Sequence, residues 1–223
     1  MATTKKASEK KNQIDDNHII SLYMNDVLED NHNTKNVYVF CKKNEIPETE
    51  FYTFFGSLDG VKQAVWNKFL ENAISNLDKD ANYPSYPNKN KLLSLYFTLF
   101  EILTLNRSYV IYSLEENDRG LKNLKDLKSF RNEFKDFVKQ IIDEDESLVS
   151  DRVSNITKPI FSEGAWVQFL FILKFWMDDT SKSFEKTDIL IEKSVNTVVD
   201  LLDTKPLESL FDLGKFLFKE NRN

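Results

Sequence analysis

Side chains able to do acid-base, nucleophilic or metal chemistry are few in this sequence. A single cysteine, Cys41, and two histidines, His18 and His32, cannot build a disulfide framework or a tetrahedral Cys/His metal site without acid ligands or a second chain. No Gly-rich phosphate loop, paired histidine or nucleophile elbow is present, so catalysis is not expected and no cofactor is called for. The acid runs Asp143-Glu144-Asp145-Glu146 and Asp178-Asp179 can attract a divalent cation, but such runs more often solvate a helix end, and no metal site is expected. What remains is binding chemistry. Trp66, Tyr96, Phe97, Phe100, Leu103, Phe130, Phe134 and Phe137 recur at helical spacing and could line a cavity for a hydrophobic or lipid-like ligand, or pack simply as core. Glu101 and Arg107 are the candidate polar groups to fix a ligand head group, unless they end as solvated or paired helix residues.

The elements that would position these side chains follow from composition. The 223 residues include 5 Gly and 5 Pro, together about 4.5% of the chain, against roughly 12% in an average protein. That points to long helices. With 41% hydrophobic residues and 18 Phe the chain can bury a core, which excludes collagenous, mucin-like and largely disordered classes. Residues 1–13 read as a mobile basic tail of net charge +3. Ile14, Ile19, Leu22, Tyr23 and Val27 predict a first helix to about Leu28, and Thr34 is placed to cap a second over Val37 to Lys43. Pro47 suits the start of a third. Ser57 should cap a fourth, with the stripe Val61, Val65, Trp66, Phe69, Ala73 and Leu77.

The Asn- and Tyr-Pro-rich stretch from Asp80 to Asn88 interrupts helical backbone and marks the expected domain boundary. This divides the chain into a tail, 1–13, a domain over 14–79, and a larger helical domain over 80–223. Within the last, helices are expected at about 89–107, 121–143, 162–178 (capped by Ser162), 184–203 and 206–219. The run from Ala165 to Met177 is apolar almost all round, yet at 13 residues it is too short to span a bilayer. No apolar core of a signal peptide is visible near Met1, so a cytoplasmic location is expected. Phe184, Ile191, Val195, Val198 and Leu202 form a seam suited to packing against another helix.

The stretch from Phe40 to Val61 resembles the helix-turn-helix of the TetR transcriptional regulators, with Phe51-Tyr52, Phe55 and Ser57 in the places that family gives to Phe-Tyr, a Phe three residues later and a helix cap. The resemblance implies an all-α fold: a three-helix helix-turn-helix N-terminal domain and a larger helical-bundle C-terminal domain. It also implies a ligand pocket between the middle helices, for which Trp66, Tyr96, Phe97, Phe100, Leu103, Phe130 and Phe134 are the candidates. A homodimer is implied as well, built from the helices at 162–178 and 184–203, with Trp166, Phe169, Leu173, Ile191, Val195, Val198 and Leu202 as candidate interface residues.

Departures from the family pattern fall on the DNA-reading side. Glu45 stands where the turn usually has Gly, Pro47 where a Ser usually caps the recognition helix, and Leu58 in place of a Lys. Phe54 takes the position of an aromatic or His that often touches phosphate. The positions that the resemblance would place at DNA are Lys42, Lys43, Glu48, Thr49, Glu50 and Tyr52, two of them carboxylates that phosphate repels. Residues 14–79 hold 6 Lys against 11 acids, a net of −5, and the tail raises this only to −2. Such a head forfeits most of the counterion-release term in DNA affinity. The expected function is therefore a TetR-like protein that binds a hydrophobic small molecule or lipid, with DNA binding weakened or lost, as in the lipid-binding branch of the fold. The alternatives are a working repressor that relies on its Lys-rich tail, Lys42, Lys43, Thr49 and Tyr52, and a helical partner-binding scaffold without a ligand.

Overall fold

The computed structural model describes residues 14–29, 36–115, 124–143 and 151–202, with the side chains of 143, 151–158, 160 and 199–202 excepted. Among the described residues there are nine α-helices and no strand, an all-α fold. They are α1 (Asp16–Glu29), α2 (Val37–Lys43), α3 (Glu48–Phe54), α4 (Leu58–Leu77), α5 (Asn88–Leu105), α6 (Arg107–Glu115), α7 (Lys128–Asp143), α8 (Asp151–Asp178) and α9 (Glu185–Leu202). The chain separates into two compact units, Met1–Val65 and Trp66–Asn223.

The first unit is built around aromatic rings. Tyr23 of α1 meets Phe40 of α2 with ring centroids 6.2 Å apart, and Phe40 meets Phe51 of α3 at 5.9 Å, both edge to face. Ile19, Val27, Cys41, Ile46, Val61 and Val65 complete the buried set. Burial pushes the Cys41 thiol pKa up, and the nearby Glu48 carboxylate adds to the rise. Asn36 caps α2, its Oδ1 accepting the Val39 amide at 2.9 Å. Thr34, expected in that role, lies outside the described residues. Pro47 begins α3 without a side-chain cap, while Ser57 does cap α4, its Oγ accepting the Gly60 amide at 3.1 Å.

The turn between α2 and α3 closes on the residue that departs from the family's glycine. Glu45 has φ 55°, in the left-handed region, whereas Asn44 at φ −95° does not take up the turn. The Ile46 amide reaches back to the Cys41 carbonyl at 2.9 Å, the six-to-one bond of a Schellman C-cap. Asn44 instead supplies its side chain, donating to the buried Asp26 carboxylate at 2.9 Å and to the Phe40 carbonyl at 3.0 Å. α1 is thereby tied to the turn by polar as well as apolar contacts.

In the second unit several boundaries differ from the sequence expectation. The helix expected over 89–107 ends at Leu105, because Asn106 donates its side chain to the Ile102 carbonyl at 2.9 Å and breaks the spiral; α6 then starts at Arg107. Helix α7 begins at Lys128 after a turn over 124–127, later than residue 121. Helix α8 begins at Asp151, eleven residues before the expected start. It runs through Pro159 at the cost of one backbone hydrogen bond, so Ser162 is no cap but an interior residue whose Oγ donates to the Pro159 carbonyl at 3.0 Å. The tail over 1–13 and the helix expected at 206–219 lie outside the described residues.

The left-handed Glu45 costs roughly 1 to 2 kcal/mol relative to a residue without Cβ, and replacing it with Gly returns part of that to unfolded-chain entropy. Glu45→Gly is therefore expected to stabilise the protein by about 0.5 to 1 kcal/mol, measured by chemical denaturation. A loss of stability would mean that the Glu45 side chain itself supports the turn.

Candidate functional site

The candidate ligand-lining residues converge in the second unit. Trp66 of α4 meets Phe130 of α7 at 5.7 Å, Phe130 and Phe134 stack at 6.1 Å, and Tyr96 of α5 meets Phe134 at 6.1 Å. Phe169 of α8 lies at the centre, 5.1 Å from Phe130, 5.4 Å from Phe134, 5.4 Å from Trp166 and 5.8 Å from Phe100. Leu103 is buried on α5. Of the seven candidates only Phe97 stands apart, exposed on the outer side of α5. Phe137, also expected in this group, is half-buried on α7.

A chain of polar groups crosses this interior, and nothing in the spacing of aromatics had pointed to it. The Tyr96 hydroxyl donates to the Ala165 carbonyl at 2.8 Å and lies 3.2 Å from Gln168 Oε1; Gln168 Nε2 donates to Ser194 Oγ on α9 at 3.0 Å. Tyr96 is fully buried, and desolvation pushes its phenol pKa far above the ordinary value, so it stays protonated. The one available signal was Gln168 itself, a lone amide inside an otherwise apolar run, which when buried must find partners.

Arg107, a candidate head-group partner, is spent on structure. Its guanidinium donates to the Trp176 and Met177 carbonyls at 2.9 and 3.0 Å, at the C-terminal end of α8, and lies 4.3 Å from the Trp176 ring and 4.6 Å from the Phe184 ring. Glu101 is exposed. Asp179 organises the passage into α9, its carboxylate accepting from the Ser181 amide at 2.8 Å, the Thr187 amide at 3.0 Å and the Thr187 hydroxyl at 2.7 Å. Asp178 is exposed and pairs with Lys174 at 2.7 Å. The Asp178-Asp179 pair thus serves helix ends. Of the acid run at 143–146, 144–146 lie outside the described residues, as does the Asp143 side chain.

The candidate interface residues Trp166, Phe169, Leu173, Ile191 and Val195 are buried within the chain itself, Val198 is half-buried, and the Leu202 side chain lies outside the described residues. The face of α8 that points outward carries Gly164, Val167, Phe171 and Phe175, at intervals of three, four and four, with Val167 63% and Phe171 58% exposed. No heavy atom lies within 4 Å of a Cβ built on Gly164.

In the first unit the candidate DNA residues divide. Lys42, Thr49, Glu50 and Tyr52 are exposed and Glu48 is half-exposed. Lys43 is held by the buried Asp26, its Nζ 2.9 Å from Oδ1.

An all-helical chain that joins a helix-turn-helix to an aromatic-cored bundle has the architecture of helix-turn-helix regulators. Residues 91–217 match the C-terminal domain of tetracycline repressor-like proteins, more than half of the chain, and the chain belongs to that family. No curated protein matches its sequence. Among the described residues no helix is long and apolar enough to cross a membrane.

Asp179 gives this unit a defined acid sensitivity. Burial alone pushes its carboxyl up, but the hydrogen bonds from Ser181 and Thr187 outweigh that and hold it at about 2. A carboxyl with a pKa lower in the folded chain than in the unfolded one stabilises the fold fully above its unfolded pKa, and loses that contribution as pH falls toward the folded value. The contribution is about 2 kcal/mol. Asp179→Asn should lower stability at pH 7 and flatten the decline between about pH 4 and pH 2, read from denaturation midpoints across that range. An unchanged acid limb would show that other carboxylates govern it.

Proposed function

We propose that this chain is a homodimeric tetracycline repressor-like protein that takes a hydrophobic small molecule or lipid in its C-terminal domain, 80–223, and whose reading head, 14–79, binds DNA weakly or not at all. It would act in the cytoplasm and catalyse nothing. The observation that carries the DNA part is the fate of the charges. Lys43 is committed to Asp26, while the recognition helix α3 turns Glu50 to solvent and Glu48 partly so. Without cations at phosphates the nonspecific affinity on which specific readout builds is small.

Support for the ligand comes from an interior that is aromatic on every side yet crossed by the Tyr96, Gln168 and Ser194 groups. An apolar lining with a few placed polar atoms is the composition of a small-molecule site. Trp66, Tyr96, Phe100, Leu103, Phe130 and Phe134 would line it, and Phe97 would not. Trp66 and Asn67 link α4 to α7, through the Phe130 ring and through Asn67 Nδ2 bonds to Ser129 at 2.9 Å and Glu133 at 2.7 Å. A ligand that shifts α7 would in this way change the tilt of α4.

The dimer face proposed is the outward stripe of α8, not the residues that α8 and α9 bury within the chain. Val167, Phe171 and Phe175 offer apolar side chains, and Gly164 leaves room for a partner helix to approach. One observation favours the working repressor as the second reading: the α2-turn-α3 backbone is intact and Lys42 is exposed beside it.

Three outcomes test these statements. Purified protein mixed with genomic DNA fragments should retain none at low salt; selective retention that persists at about 200 mM salt would establish the repressor instead. Organic extraction and mass spectrometry of the same preparation should yield a stoichiometric apolar compound, and a preparation free of any would remove the ligand claim. Phe171→Glu should convert a sedimenting dimer to a monomer with its helical content unchanged, because Phe171 is exposed in the single chain. A dimer that survives the change would place the interface elsewhere.

A further inference from the structure

We propose that the outward face of α2 and α3 is a docking surface for a lysine- or arginine-rich segment of another protein. Phe40, Cys41 and Phe51 take the inward positions of these two short helices. What faces water is unusual for a solvated surface: Tyr38 is 58% exposed, Tyr52 53% and Phe54 43%. Three exposed aromatics on two seven-residue helices are more than a scaffold needs, and rings of this kind are enriched where proteins meet.

The charges around the rings select the occupant. Glu45 and Glu50 are exposed, Glu48 is half-exposed, and Lys43 is turned to Asp26. The surface thus repels phosphate and attracts cations, the reverse of what a DNA-reading helix requires. Aromatic faces and carboxylates together suit a guanidinium or ammonium, which can stack on a ring and pair with an acid at once. The face already holds one example, Lys42 Nζ 5.9 Å from the centre of the Tyr38 ring. A cationic side chain arriving on Tyr52 or Phe54 would meet the same chemistry, with Glu48 and Glu50 on the same helix. The proposal rests on the reading that this head has lost its DNA affinity, and turns that loss into a change of partner class.

The test uses the full chain and a fluorescein-labelled octalysine probe, followed by anisotropy at about 150 mM salt. Glu48→Gln with Glu50→Gln should weaken binding about 5- to 30-fold, and Tyr38→Ala with Tyr52→Ala by a similar factor. Glu185→Gln with Glu192→Gln, two exposed acids of α9, should leave it unchanged. Equal weakening by the α9 pair, or none by either head pair, would reduce the effect to diffuse attraction by an acidic protein and overturn the proposal. So would tenfold tighter binding once residues 2–13 are deleted, since the chain's own lysines would then be the occupant. All these side chains are exposed or half-exposed, and thermal melts establish that each variant is folded. The DNA-retention assay on the same samples separates the two claims: fragments retained through the head would sink the DNA reading, whereas loss of probe specificity alone sinks only the docking surface.

Discussion

The second unit depends on the burial of one face of α8. Phe169 sits where rings from α5, α7 and α8 converge, and its neighbours Phe100, Phe130, Phe134 and Trp166 are themselves in ring contact with further aromatics. Each such pair adds roughly 0.5 to 1.5 kcal/mol beyond the area it buries. The helical period then dictates the rest. With 165, 166, 169, 172, 173 and 176 turned in, 164, 167, 171 and 175 turn out. A helix apolar on both faces has one face satisfied by its own chain and one that is not, so core and candidate interface are two consequences of a single packing choice.

A similar constraint shapes the first unit, through charge. Asp26 is buried beside the turn and is held by Lys43 and Asn44. Moving Lys43 to a phosphate would strip a buried carboxylate of its ion partner, and breaking such a pair costs about 3 to 5 kcal/mol. One phosphate contact at the surface is worth less than that. The lysine that looks most useful for DNA in the sequence is therefore the one the fold can least release, and the remaining head is left with a surplus of exposed acids.

Much of this fold was legible in the chain. Helix α2 lies where its residues placed it, Ser57 caps α4, and Glu45 adopts the left-handed backbone that its position in the turn demanded. The misses have local causes. Asn106 ends α5 by turning its side chain back on the helix, a competition that hydrophobic spacing does not register. Pro159 suggested a boundary, yet α8 passes through it because one lost backbone bond does not undo a helix of 28 residues. Side-chain direction was the least legible. In the run AWVQFLFILKFWM every position looked equally apolar, and Trp166, Phe169 and Leu173 could be assigned to a partner only by ignoring how much aromatic surface α5 and α7 bring to that side. The Tyr96 to Ser194 chain was invisible for a different reason: its members lie 26 and 72 residues apart and only packing brings them together.

The helix-turn-helix persists here because what builds it and what reads with it are different side chains. Phe40, Ile46 and Phe51 point inward, Asp26 and Asn44 tie the turn to α1, and Ser57 caps the next helix. None of these touches the outer face of α3. Substitutions on that face cost the fold little, so it can exchange cations for Glu48 and Glu50 while Phe51, Phe55 and Ser57 stay in register. A motif made of inward residues is thus a statement about backbone geometry. Whether the surface meets DNA, a basic segment or only water is decided by residues that the motif does not contain.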